Sequence, residues 1–361
     1  TKADNYTIEK TEGKLKVTPV TDKVTVTITG NTASEKYDGT EKTASGYGVS
    51  ISNEKYTEAD FEFKGNAEVK GTDANTYPMG LTAANFTNKS TNFTNVEFVV
   101  TDGSLTINKR NVTLTSASDS KVYDGTALTN DTVTVGGADG FADGEGAEYN
   151  VTGTQTNVGS SDNTFTYTLK KDTKADNYDI KTENGTLTVT PVTGKVTVTI
   201  TGNTASEKYD GTEKTASGYG VSISNEKYTE ADFEFKGNAE VKGTDANTYP
   251  MGLTAANFTN KSTNFTNVEF VVTDGSLAIN KRSVTLTSGS GEKVYDGTAL
   301  TNGTVTVGGA DGFADGEGAA YDVTGSRTDV GESDNTFTYT LNKGTKADNY
   351  TIEKTEGKLK V

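Results

Sequence analysis

Three groups of residues in this sequence have types and spacings that could do chemistry. The first is a carboxylate run in a glycine-rich loop, GGADGFADGEGAEYN at 136–150, whose Asp139, Asp143 and Glu145 return as Asp311, Asp315 and Glu317. Calcium takes several oxygens from flexible acidic segments of this kind. The spacing is not that of an EF-hand, and Glu148 gives way to Ala320 in the second copy. A solvated acidic loop is therefore expected, with no metal. The second group pairs lysines near the front of a repeat, Lys36 and Lys121, with late asparagines, Asn95 and Asn177. Such pairs could close a Lys–Asn isopeptide crosslink with loss of ammonia. No acidic box accompanies them, and the two lysines stand at different offsets from the tyrosine that follows, so no crosslink is expected. The third group is Tyr47, Tyr56 and Tyr77, in an irregular stretch also holding Gly and Asn. Exposed rings there could stack on sugars, although core packing is their expected role.

The chain has no His and no Cys. That excludes the usual nucleophile–base pairs, His-based metal sites and zinc–thiolate sites. Two carboxylates alone suffice for glycoside hydrolysis, but they need a pocket, and a small repeated β unit has little room for one. The expectation is no enzyme, no catalytic residue and no cofactor.

The elements that must position these groups follow a beat. Tyr-Asp-Gly-Thr occurs at Tyr37, Tyr123, Tyr209 and Tyr295, each 86 residues after the last. A fixed period of that size means a tandem array. Alternating units, type A and type B, divide the chain into A1 (20–109), B1 (110–191), A2 (192–281) and B2 (282–361). From Lys23 to Arg110 the first A body differs from its copy only at Thr106, which is Ala278 in the second. Residues 1–17 are repeated letter for letter as 345–361. Residues 1–19 therefore read as the closing hairpin of a preceding type B repeat.

Val24, Val26 and Ile28 alternate with threonines, as do Val112 and Leu114, which is the period of a half-buried strand. Strands are also expected at 47–51, 61–64, 132–135 and 165–169, with a short helix over Leu81–Phe86 at most. Asp38-Gly39 of the repeated tetrapeptide reads as a turn in which Asp caps the bend and Gly takes the unusual φ. Asp102-Gly103 and Asn184-Gly185, each between two apolar alternations, predict tight hairpins. Only Asn108, Lys109, Arg110 and Asn111 lie between Ile107 and Val112, and no joint is rich in Gly and Ser, so stiff connections are expected. The fold class is mainly β, four small tandem grasp-like or sandwich-like domains in an elongated array.

A net charge of −16 with no Lys/Arg-rich block argues against nucleic acid as a partner. No apolar run reaches the roughly 20 residues of a membrane helix. KVYDGT at the front of a unit, with ADNYDI and NGTLTVTP at its end, resembles the bacterial repeat domains called YDG and MBG domains. TYPMGL followed by FVVTDGSLTINKR, in type A, resembles the MBG pattern. The resemblance implies a large, repetitive bacterial surface protein or adhesin, extracellular and linked to the wall. On that reading the chain is a stalk that projects a distal binding domain. The alternative is direct adhesion, with type A binding a host or mucin glycan or matrix. The expected partners are the neighbouring repeats.

Overall fold

Val24, Val26 and Ile28 do what their alternation predicts. In the computed structural model, which describes residues 1–361 throughout, all three are buried on β1 (Val24–Gly30), and the intervening threonines take the other face. After Asn31 come β2 (Thr32–Lys36), β3 (Lys42–Ser45), β4 (Tyr47–Ile51), β5 (Phe61–Phe63) and β6 (Glu68–Gly71). β7 (Asn75–Pro78), β8 (Phe86–Asn88), β9 (Val96–Thr101) and β10 (Ser104–Asn108) complete the first A repeat. β1 lies between β4 and β9, β10 lies between β2 and β7, and β3–β6 and β5–β8 form short pairs. The front and back of the repeat pair in parallel, Val24 with Val96 through Thr29 with Thr101, then Thr32 with Ser104 through Lys36 with Asn108. Parallel neighbours need a long crossover, and the middle of the repeat supplies it.

Type B follows the same plan. Its strands are β11 (Arg110–Ser116), β12 (Asp119–Val122), β13 (Val133–Gly136), β14 (Ala147–Val151), β15 (Gly159–Asn163), β16 (Phe165–Leu169), β17 (Tyr178–Glu183) and β18 (Gly185–Thr190). β11 lies between β13 and β17, β18 between β12 and β15, and β14 pairs with β16. The β11–β17 ladder is again parallel, Arg110 with Tyr178 through Thr115 with Glu183.

The hairpins expected at Asp102-Gly103 and Asn184-Gly185 do not form. β9 and β10 each pair with a strand from the front of the repeat and not with each other. Neither Gly103 nor Gly185 has a positive φ; their small size is what the fold uses. A Cβ on Gly103 would sit 2.4 Å from the Asn31 carbonyl oxygen, and one on Gly30 would sit 2.3 Å from the Gly103 nitrogen. Two bent strands thus nest kink into kink, and each passes from one three-stranded sheet to the other. Asp102, read from sequence as a turn former, instead accepts hydrogen bonds from the backbone of Gly80 and Leu81 at 2.9 and 2.7 Å.

There is no α-helix. The expected short helix is a single 3-10 turn, Ala83–Asn85, fixed by a capping box between Thr82 and Asn85. Similar turns at Glu58–Asp60 and Ala175–Asn177 were not anticipated. The proposed closing hairpin at 1–19 contains no strand, only a 3-10 turn at Ala3–Asn5, and its residues are exposed.

The chain divides into two compact units, Thr1–Lys121 with Ala127–Val189, and Val122–Thr126 with Thr190–Val361. In the first unit every sheet stays within one repeat, but the core does not. One cluster, built on Val24, Val26, Ile28, Tyr56, Phe61, Phe86 and Phe93, belongs to A1 alone. The other joins Tyr37, Leu105 and Ile107 of A1 to Val112, Leu114 and Tyr178 of B1. The second unit has a similar division, with Tyr209, Leu277 and Ile279 joined to Val284, Leu286 and Tyr350, while Tyr123 also packs against its A2 cluster.

Candidate functional site

Four of the sequence-nominated groups, Lys36, Asp139, Glu145 and Asn177, meet where A1 joins B1, although not as chemistry. β10 ends at Asn108 and β11 begins at Arg110, so a single residue separates the two repeats. The Arg110 guanidinium donates from Nε to the Gly140 carbonyl at 2.8 Å, and from its two terminal nitrogens to the Tyr37 carbonyl at 3.2 Å and the Asp139 carbonyl at 2.5 Å. One planar fork thus ties the tetrapeptide of type A to the acidic loop of type B.

The loop's carboxylates are engaged in the same joint. Asp139 accepts from the Asn111 N–H at 2.8 Å and from Lys36 at 3.0 Å, and these two donors hold its carboxyl below the usual range. Glu145 accepts from the Tyr37 hydroxyl at 2.5 Å and from the Tyr178 hydroxyl at 2.9 Å. The Ala142 N–H donates to the Tyr178 oxygen at 3.0 Å, and the two tyrosine rings meet edge to face with centroids 5.7 Å apart. Burial first, and the Glu145 carboxylate second, push the Tyr37 hydroxyl far above its ordinary value. Burial likewise pushes Tyr178 up to about 12, against the opposing pull of the Ala142 N–H. Asp143 is exposed, and no three carboxylates are placed to share a cation.

Asn177, fully buried, closes the other side of the joint. Its oxygen accepts from the Ala74 N–H at 2.7 Å, and its amide donates to Asp73 at 3.0 Å. Lys174 reaches the second Asp73 oxygen at 2.7 Å, and with Asn177 it holds that carboxyl low. The second unit repeats the arrangement. Arg282 bonds the Gly312, Tyr209 and Asp311 carbonyls, Lys208 pairs with Asp311, and Glu317 takes both Tyr209 and Tyr350.

The crosslink candidates are therefore occupied elsewhere. Lys36 faces Asp139, Asn177 holds Asp73 and Ala74, and Asn95 donates to the Thr21 carbonyl at 3.1 Å. The nominated sugar-stacking rings are packed. Tyr56 is buried against Phe93, with its hydroxyl on Asn88 at 2.9 Å. Tyr47 lies against Phe63 and Phe86, and Tyr77 covers Gly71, where a Cβ would fall 2.3 Å from the ring. An open depression of about 620 Å³ at Thr201–Ala205 and Thr215–Ser217 holds no titratable group.

The repeated tetrapeptide is the turn its sequence predicts. Asp38 accepts from the Thr40 N–H at 2.9 Å, and Gly39 has a φ of 82°. Its tyrosine, however, has two roles. In type A, Tyr37 is buried and locked to Glu145. In type B, Tyr295 is 56% exposed, and Tyr123 sets its ring 5.6 Å from Phe265 within the second unit. Sequence reasoning missed Arg110 and the Glu145 acceptor. One signal was available: Glu145 is kept as Glu317, whereas the exposed Glu148 becomes alanine.

The model of the MBG domain family matches residues 24–109 and 195–281, which are the two type A repeats. No curated protein and no solved structure matches the chain. No helix is long and apolar enough to cross a membrane.

Proposed function

From a chain that carries two MBG domains, each followed by a repeat of a second type, we propose a structural spacer in a repetitive bacterial surface protein. It holds a more distal binding domain away from the wall, outside the cell. Its working element is the A–B pair, with boundaries near 20, 110, 192 and 282 and the joint at 108–111 immobilised. The observation that supports this reading is the joint itself, where a shared core, the Arg110 fork and the Glu145 bridge tie the two repeats together. Lys36, Asp139, Glu145 and Asn177, which had the chemistry to do more, are engaged in that joint. The excess of negative charge keeps a long, exposed array soluble.

Two measurements on the full chain test the proposal. Dyes placed one on A1 and one on B1 give a single narrow distance distribution, which Arg110→Ala broadens. A glycan and matrix array gives no saturable binding. Saturable binding that disappears when an exposed tyrosine of type A is replaced would make the repeats adhesive in their own right and set the spacer aside.

A further inference from the structure

We propose that each repeat is a tensile clamp, in which a pull along the chain loads the parallel ladder between its first and last strands in shear. The chain enters A1 at Val24 and leaves it at Asn108. These residues stand at opposite ends of one register that runs through β1–β9 and on through β2–β10. Tension at the two ends therefore drives the strands past each other along their length. The six registered pairs of the first ladder and the five of the second bear the load together, through the evenly spaced bonds of a parallel pairing. A ladder pulled from one end breaks one bond at a time instead.

The nested kinks strengthen the clamp. The Cβ position of Gly103 lies 2.4 Å from the Asn31 carbonyl oxygen and that of Gly30 lies 2.3 Å from the Gly103 nitrogen, so sliding must first lift one bend out of the other. Type B is threaded alike, with Arg110 to Thr115 parallel to Tyr178 to Glu183 and the Gly185 Cβ position 2.4 Å from the Ser116 carbonyl oxygen. In B2 the parallel register extends past the kink, to Gly291 with Leu359 and Glu292 with Lys360. Load passes directly between ladders, because only Lys109 separates β10 from β11. The proposal rests on the spacer reading in one respect: only a chain held at both ends feels tension.

The test is single-molecule force spectroscopy on the full chain in two pulling geometries. In one, the termini are tethered. In the other, Asp22→Cys and Thr94→Cys, both at exposed positions of a chain with no other cysteine, place the handles at the same end of the β1–β9 pair. Unchanged circular dichroism and denaturant midpoint show that the double variant keeps its fold. With tethered termini, release of the 85 residues from Val24 to Asn108 lengthens the chain by roughly 300 Å. The rupture force at equal loading rate exceeds that of the same-end pull, because the ladder fails as a whole rather than in sequence. Equal rupture forces in the two geometries, or end-to-end extension without a force peak, overturn the clamp. The glycan array reads the spacer and the force curves, taken without glycan, read the clamp, so the two failures register in different experiments.

Discussion

Residues 1–17 and 345–361 are the same seventeen letters in two conformations. Both make the 3-10 turn, at Ala3–Asn5 and Ala347–Asn349. Beyond it they part. Tyr6 and Leu15 are 62% and 103% exposed, whereas Tyr350 and Leu359 are 4% and 0% exposed. The second copy forms strands at Tyr350–Thr355 and Lys358–Lys360, with Arg282–Thr287 parallel to the former and Gly291–Glu292 to the latter. The first copy has no such strands beside it. The difference teaches that the closing segment has a local turn but no strand of its own. It forms strands where the front of a type B repeat supplies the ladder and the core.

The largest effect that would sharpen this contrast comes from the buried leucine. Leu359→Ala is expected to destabilise the second unit by about 2–5 kcal/mol, while the sequence-equivalent Leu15→Ala leaves the urea midpoint unchanged. Next comes the kink. A Cβ on Gly357 would lie 2.4 Å from the Ser288 carbonyl oxygen, whereas Gly13 has nothing within 4 Å. Gly357→Ala should cost about 1–3 kcal/mol and Gly13→Ala nothing measurable, read in the same titration.

Glu317→Ala removes the acceptor shared by Tyr209 and Tyr350 and leaves two hydroxyls in a largely buried joint. A loss of about 1–3 kcal/mol is expected, against no loss for the exposed Asp315→Ala. Equal losses for the two would show that the joint does not depend on the bridge.

The smallest effect is in pH. Burial, with Glu317 beside it, raises Tyr350 from 10.0 to about 12. A folded-state value above the unfolded one contributes stability that is full below pH 10 and is lost as pH rises through about 12. Midpoints measured from pH 9 to 12, with phenolate absorbance followed in parallel, should fall more steeply for the parent chain than for Tyr350→Phe. Identical slopes would mean that the bridge does not hold this proton.

Much of this was legible in the chain. The alternations at 24–28 and 112–114 marked strands because a half-buried strand requires that period. Tyr-Asp-Gly-Thr marked its turn because an Asp oxygen two residues before an N–H, followed by Gly, closes the same bend wherever it occurs. Asp102-Gly103 misled because the pair carries the local signature of a hairpin. The requirement actually met there is room for a second backbone, and that backbone comes from residues 30 and 31. The acidic loop misled similarly, since nothing near Glu145 in sequence announces Tyr37, 108 residues away.

The sequence by itself determined the four-fold beat and the β class, and residues within a few positions of each other set the Tyr-Asp-Gly-Thr turns. Tertiary structure alone decided that the last strands lie parallel to the first, that kinks replace hairpins, and that one core and one arginine fork run across the repeat boundary. Alternation gives a strand a face but names no partner. The partner is fixed by hydrogen bonds and buried surface from the far end of the repeat, as residues 350–360 obtain them from 282–287 and 291–292.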